Sequence, residues 1–167
     1  MSLLSASASG EVDMQKEPVS AKSIQAVKGQ TNYPAPYADQ VAGRCKQKLG
    51  NFFGLKNFGI NQTTLDPGSI SALSHHHSKQ DEFIYVLDGE VNLILDGKAY
   101  PMIAGDCIGL PAGTGVPHQL VNQSRNEAVY LEIGDRSAGD EVEYPDDDIK
   151  AAFSDGRWTF YTCDPEI

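Results

Sequence analysis

Residues 68–89 read GSISALSHHHSKQDEFIYVLDG, and residues 105–122 read GDCIGLPAGTGVPHQLVN. The first window holds His75 and His77 two positions apart, Glu82 five further on, and Asp88-Gly89 at its end. The second holds His118, the one histidine outside the triplet 75–77. In an extended strand the side chains at i and i+2 share a face, so His75 and His77 project together and His76 points away. Glu82 follows a short loop that can fold back over the same spot. His118 joins them only if the sheet closes on itself. Imidazole suits zinc, copper, nickel and iron, and a carboxylate extends the set to manganese. Two histidines and a carboxylate with open positions are the donor set of non-haem iron oxygenases, and a third imidazole makes the site tighter. His75, His77, Glu82 and His118 are therefore the candidate metal ligands. The competing reading of the spacing alone is an exposed histidine loop beside an ordinary surface carboxylate.

Working outward, the chain between residues 56 and 135 is a series of short β runs: 57–65, 82–87, 91–95, 98–103, 107–110, 117–123 and 128–133. Asp88-Gly89 and Asp96-Gly97 both carry the tight-hairpin signal. Short strands with frequent turn signals and almost no helical periodicity predict an all-β sandwich or small barrel. Residues 1–32 are rich in Ser, Ala and charge and read as a flexible lead-in with a short helix around 21–27. Residues 39–49 are expected to form a helical turn or two. After an acidic stretch, GDEVEYPDDDIK (139–150), residues 149–167 form a tail whose Trp158, Phe160 and Tyr161 are expected to pack on the barrel exterior. The predicted division is a lead-in (1–32), a barrel with flanking segments (33–148) and this tail.

The 167 residues suit one domain. Asp and Glu total 23 against 13 Lys and Arg, and 13 − 23 gives a net charge of −10. An acidic chain repels nucleic acid and anionic lipid, so neither is an expected partner. Cys45, Cys107 and Cys163 form no C-x-x-C pair, which leaves no zinc ribbon or redox motif. No apolar run reaches membrane-spanning length, and the start lacks the basic and apolar segments of a signal peptide. The expected compartment is the cytoplasm.

The two windows resemble the paired motifs of the cupin superfamily. In the first, His-x-His is followed after four residues by Glu and after six more by Gly; in the second, Gly, five residues, Pro-x-Gly, then His, three residues, Asn. His77 to Glu82, Glu82 to Gly89, Gly105 to Pro111-Ala112-Gly113 and His118 to Asn122 match. Gly68 to His75 is one residue longer than the pattern and Gly113 to His118 two longer, so the match is tighter at His75, His77 and Glu82 than at His118. The likeness extends over YPAPYADQVAGRCKQKLGNFFGLKNFGIN (33–61) and GDRSAGDEVEYPDDD (134–148), and there resembles short single-domain bacterial cupins of a sugar-phosphate isomerase-like group.

The resemblance implies a jelly-roll barrel (a double-stranded β-helix) with a short N-terminal extension. It also implies a divalent metal ion (Zn, Fe, Mn or Ni) and a small-molecule ligand or substrate. Asn122 and Gly89 would be structural positions. The implied activity is isomerase-like, on a sugar phosphate; the alternatives are a non-haem iron dioxygenase and a non-catalytic ligand-binding barrel. A phosphate needs cations, for which Arg44 and Arg136 are the candidates. Tyr85 and Tyr130 are candidate substrate contacts, although strand tyrosines more often pack in the core. A homodimer is expected, because similar cupins pair by edge strands and an exposed sheet edge needs covering; the N-terminal segment is the natural donor.

Overall fold

The structure, a computed structural model, describes residues 17–162. The first sixteen residues of the lead-in, and Cys163, lie outside the described residues. Among the described residues, thirteen strands and one short helix follow in order. They are β1 (Ala26–Lys28), β2 (Arg44–Gln47), α1 (Leu49–Phe52), β3 (Phe58–Leu65), β4 (His76–His77), β5 (Glu82–Asp88) and β6 (Glu90–Leu95). Then come β7 (Lys98–Ile103), β8 (Cys107–Leu110), β9 (His118–Val121), β10 (Ala128–Asp135), β11 (Glu141–Glu143), β12 (Ile149–Ser154) and β13 (Arg157–Thr162). The chain is all-β, as its alternating short runs predict.

One layer is a six-stranded antiparallel sheet in the order β1-β2-β3-β10-β5-β8. The other consists of β7-β6-β9 and β13-β12-β11-β4. Isolated bridges from Ile70 to Val121 and from His75 to His118 join β9 to the segment entering β4, so these two sheets run on from one another. This is the jelly-roll arrangement. Burial alternates along the strands that face inward, as in β9 and the start of β10. Leu65, Val86, Val91, Leu93, Leu120 and Tyr130 meet between the layers. A second cluster, built on Leu73, Val142, Tyr144 and Ile149, lies under the C-terminal strands.

The two Asp-Gly signals have different outcomes. Asp96-Gly97 is the expected two-residue hairpin: Leu95 pairs with Lys98, and both turn residues have positive φ, 49° and 71°. Asp88-Gly89 is not a hairpin. β5 pairs with β10 and β8, whereas β6 pairs with β7 and β9, so the chain crosses between layers at Gly89. Gly89 has φ 75°, and a Cβ there would meet Glu127 O at 2.6 Å. The glycine is needed for a close crossing, which sequence-local signals cannot tell from a tight turn.

Three other expectations are corrected. The segment expected to be helical around 21–27 is a 3-10 turn at Ala21–Ser23 followed by β1, which adds a strand to the edge of the chain's own sheet. Residues 39–49 hold the end of a 3-10 turn (Tyr37–Val41), all of β2 and the start of α1. The C-terminal aromatic residues do not all lie on the exterior: Trp158 and Phe160 pack on the second core cluster, while Tyr161 is exposed. β12 and β13 make this possible by extending the sheet begun by β4 and β11. No helix among the described residues is long and apolar enough to cross a membrane.

Candidate metal centre

His75 and His118 are brought together by the backbone. His75 N–H donates to His118 O at 3.1 Å, and His118 N–H donates to His75 O at 2.9 Å. Directly paired residues of this kind hold their side chains next to each other on one face, and the rings are 4.6 Å apart. His77 follows two residues on, opposite Val142 of β11, and its ring centre is 5.2 Å from that of His75. Glu82 comes from the other layer, at the start of β5, between Gly134 of β10 and Leu110 of β8. Barrel closure is what puts the carboxylate among the imidazoles.

Glu82 Oε2 lies 2.7 Å from His118 Nε2, 3.6 Å from His77 Nε2 and 3.7 Å from His75 Nε2. The donor atoms of His75, His77 and Glu82 all fall within 4.8 Å of one another. The other ring nitrogens determine whether the donors suit a cation. His75 Nδ1 is 2.8 Å from Leu73 O, and a carbonyl only accepts, so Nδ1 carries the proton and Nε2 keeps its lone pair. His77 Nδ1 is 2.6 Å from Asp140 Oδ2, with the same consequence. These two rings have the hydrogen-bonded support that metal-binding histidines use. His118 differs: its Nε2 gives its proton to Glu82, and no partner for its Nδ1 appears among the described residues. Two prepared imidazoles and a carboxylate fit a divalent ion, and His118 must release a proton to join them.

The electrostatics follow from this crowding. Burial by itself would raise the Glu82 carboxyl, but the hydrogen bond from His118 and the attraction of the nearby imidazoles outweigh it and hold it well below the usual carboxylate range. Burial lowers the His118 ring, only partly countered by Glu82. His75 also loses solvation on burial, yet its attraction to Glu82 and its bond to Leu73 O leave it raised. Asp140, opposed by desolvation, is held low chiefly by His77.

The donors open onto a cavity of about 280 Å³. Tyr144 stacks on His75 at 5.8 Å, and Trp158 meets His77 edge-on at 5.8 Å. Tyr33 of the N-terminal segment packs against Tyr144 and Phe160, covering one side. Of the candidate substrate contacts, Arg44 and Tyr130 line this cavity. Tyr85 does not; it is 38 % exposed on the outer face of β5. Arg136 lines a neighbouring cleft and spends its donors on Leu55 O (2.7 Å) and Asn51 Oδ1 (2.6 Å).

Sequence reasoning missed Asp140, Lys46, Glu132 and the aromatic wall. Asp140 is fully buried and accepts from Ser78 Oγ and from the Lys79 and Gln80 N–H groups besides His77. It sits in an acidic run that composition marks as solvated, and nothing local distinguishes it from Glu141 or Glu143. Lys46 and Glu132 form an ion pair on the inner face, with Asn61 donating to Glu132 at 2.8 Å. Alternation along β2 places Lys46 on the same face as Arg44, and that was the available signal.

Residues 61–134 match the family described as the cupin domain. The chain is similar to a sugar phosphate isomerase of the cupin superfamily from Silicibacter pomeroyi: 33% identity, 87% of this chain and 92% of the other, TM-score 0.83. It is also similar to a candidate sugar phosphate isomerase from Acidithiobacillus ferrooxidans, with 31% identity, 72% of this chain, 76% of the other and TM-score 0.67. A stretch of 50 residues is 48% identical to quercetin 2,3-dioxygenase of Bacillus subtilis; it spans 30% of this chain and only 14% of that enzyme's length.

Proposed function

This chain belongs to the cupin superfamily, and on that premise we propose that it is a metal-dependent enzyme acting on a small phosphorylated sugar, with isomerase-like chemistry. The observation that carries the proposal is the convergence of His75, His77 and Glu82, with His118 beside them, on one wall of a cavity that also exposes Arg44, Lys46 and Glu132. The similarity to two proteins named for sugar phosphate isomerisation supports the substrate class.

His75, His77 and Glu82 are the proposed ligands, and His118 the fourth. A divalent ion held by them would supply Lewis-acid polarisation of a carbonyl or hydroxyl oxygen. The remaining work falls to the chain. Aldose–ketose exchange moves a proton between adjacent carbons and needs a base beside them. Among the cavity-lining residues, Glu82 and Glu132 are the two carboxylates, and Glu82 is committed to the imidazoles. Glu132 is thus the group placed to take and return the proton, with Lys46 and Asn61 holding it in position. Trp158, on the cavity wall, would stack on a sugar ring, and Tyr144, stacked on His75, would help exclude water from the reacting carbons.

A second reading has its own observation. On the far side of His77, Glu82 and His118 is another cavity, of about 200 Å³, walled by Leu95, Ile108, Leu110 and Val116. An apolar approach to the donors suits dioxygen, and the short likeness to a dioxygenase points the same way.

Elemental analysis of protein purified without chelators, on wild type and His77→Ala, tests the centre. Wild type is expected to hold a stoichiometric transition metal and the variant to lose most of it; equal content in both removes the site. Aldose–ketose interconversion over a panel of sugar phosphates, beside oxygen uptake with Fe(II), separates the two reactions.

A further inference from the structure

The cavity has a second wall that neither the imidazoles nor Glu132 accounts for. Arg44 and Lys46 are two residues apart on β2 and share its inner face. The register sets Lys46 opposite Thr63, and Thr63 opposite Tyr130. A cation, a hydroxyl and a phenol therefore lie side by side across three adjacent strands, with Arg44 in the next row.

Hydrogen bonding here is incomplete. Lys46 is paired with Glu132. Arg44, 8 % exposed, gives its terminal nitrogens to backbone carbonyls: Nη1 to Ser71 O and, at 3.4 Å, Nη2 to Gln30 O. Among the described residues it has no carboxylate partner. Arg44 Nε is buried without a hydrogen-bond partner, and the buried Thr63 and Tyr130 hydroxyls have only each other and Ser71 beside them. A guanidinium withdrawn from water without a counter-anion is unfavourable, and the orphaned Nε adds to the deficit. Burial and the neighbouring Arg44 depress Lys46 against the pull of Glu132, and Glu132 pairs with Lys46, not with Arg44.

What would complete this wall is a group with several acceptor oxygens, negative charge and no need to donate. We propose that Arg44 and Tyr130, flanked by Lys46 and backed by Thr63, form the seat for the phosphate of the substrate, the sugar extending from there toward the imidazoles. The identity of the molecule rests on the reading above; the presence of an oxyanion seat does not. Two cations and a phenol suit a phosphate, with three free oxygens and up to two charges, better than a two-oxygen carboxylate.

The test is calorimetric titration of the full chain as purified with a hexose 6-phosphate, inorganic phosphate, acetate and the unphosphorylated hexose. The hexose phosphate is expected to bind and inorganic phosphate to compete with it, while the hexose and acetate bind at least about tenfold more weakly. Arg44→Met should abolish phosphate binding. Because that change risks the fold, Thr63→Val and Tyr130→Phe are the cleaner variants. Each removes a hydroxyl whose neighbours are only the other hydroxyl and Ser71, so each should lower affinity about three- to tenfold with little change in Tm. Unchanged affinity in both, a clear fall in Tm, or acetate competing as well as phosphate overturns the seat. Loss of phosphate binding in His77→Ala also overturns it, since the anion would then sit on the metal. Wild type that holds no metal as purified and takes up none when loaded, yet binds phosphate, sinks the metal-enzyme reading and leaves the seat standing.

Discussion

The two histidines of the first motif owe their readiness for a cation to groups that are not themselves donors. Leu73 O and Asp140 fix the protons of His75 and His77 on Nδ1. Asp140→Asn keeps the size but weakens the acceptor that orients His77 and supports its basicity. Metal affinity is expected to fall about 10–100-fold, measured by competition against a chromophoric chelator. A variant binding metal as tightly as wild type would make Asp140 a purely structural acceptor for the 78–80 loop. His118 is expected to matter less. Lacking a second-nitrogen partner, His118→Ala should retain more metal than His77→Ala under the same dialysis, and the reverse order would show that the cross-strand ring leads.

Among the elements, the crossing at Gly89 and the C-terminal strands bear on the site most directly. Gly89→Ala combines a left-handed backbone with a Cβ 2.6 Å from Glu127 O. The backbone strain alone costs about 1–3 kcal/mol, and chemical denaturation should show at least that loss. Gly97→Asn, in the true hairpin with open space around it, should be close to neutral. β13 carries Trp158 and Phe160 into the cavity wall. Trp158→Ala is expected to leave metal content intact while weakening the proposed hexose phosphate about tenfold or more, by loss of a stacking face. Titration of the metal-loaded variant checks this.

For the whole molecule, an apolar outer face remains. Phe83, Tyr85 and Leu87 are 38 %, 38 % and 41 % exposed along β5, and Leu131 and Ile133 lie beside them on β10 by register. Exposed apolar area of this kind marks an interface. The homodimer expected from the sequence is therefore proposed to form through this face, with β1 already used to extend the chain's own sheet. Light scattering at micromolar concentration should give twice the chain mass, and Leu87→Glu should give one chain mass. A wild type that is monomeric throughout removes the proposal.

The all-β class and the approximate limits of β3 and β5–β10 were legible because alternation, turn chemistry and two spaced motifs act over a few residues. His75 and His77 share a face by the period of a strand, and Glu82 is close along the chain. Where β5 and β6 separate, which acidic residue is buried, and that Lys46, Thr63 and Tyr130 form one row depend on pairing between distant strands. Register between strands far apart in sequence leaves no mark on either strand alone, since each alternates in the same way whatever its partner. The sequence by itself thus determined which donors were available and what architecture would carry them. Only the tertiary structure decided which charges remain unpaired around them, because that depends on the neighbours closure supplies.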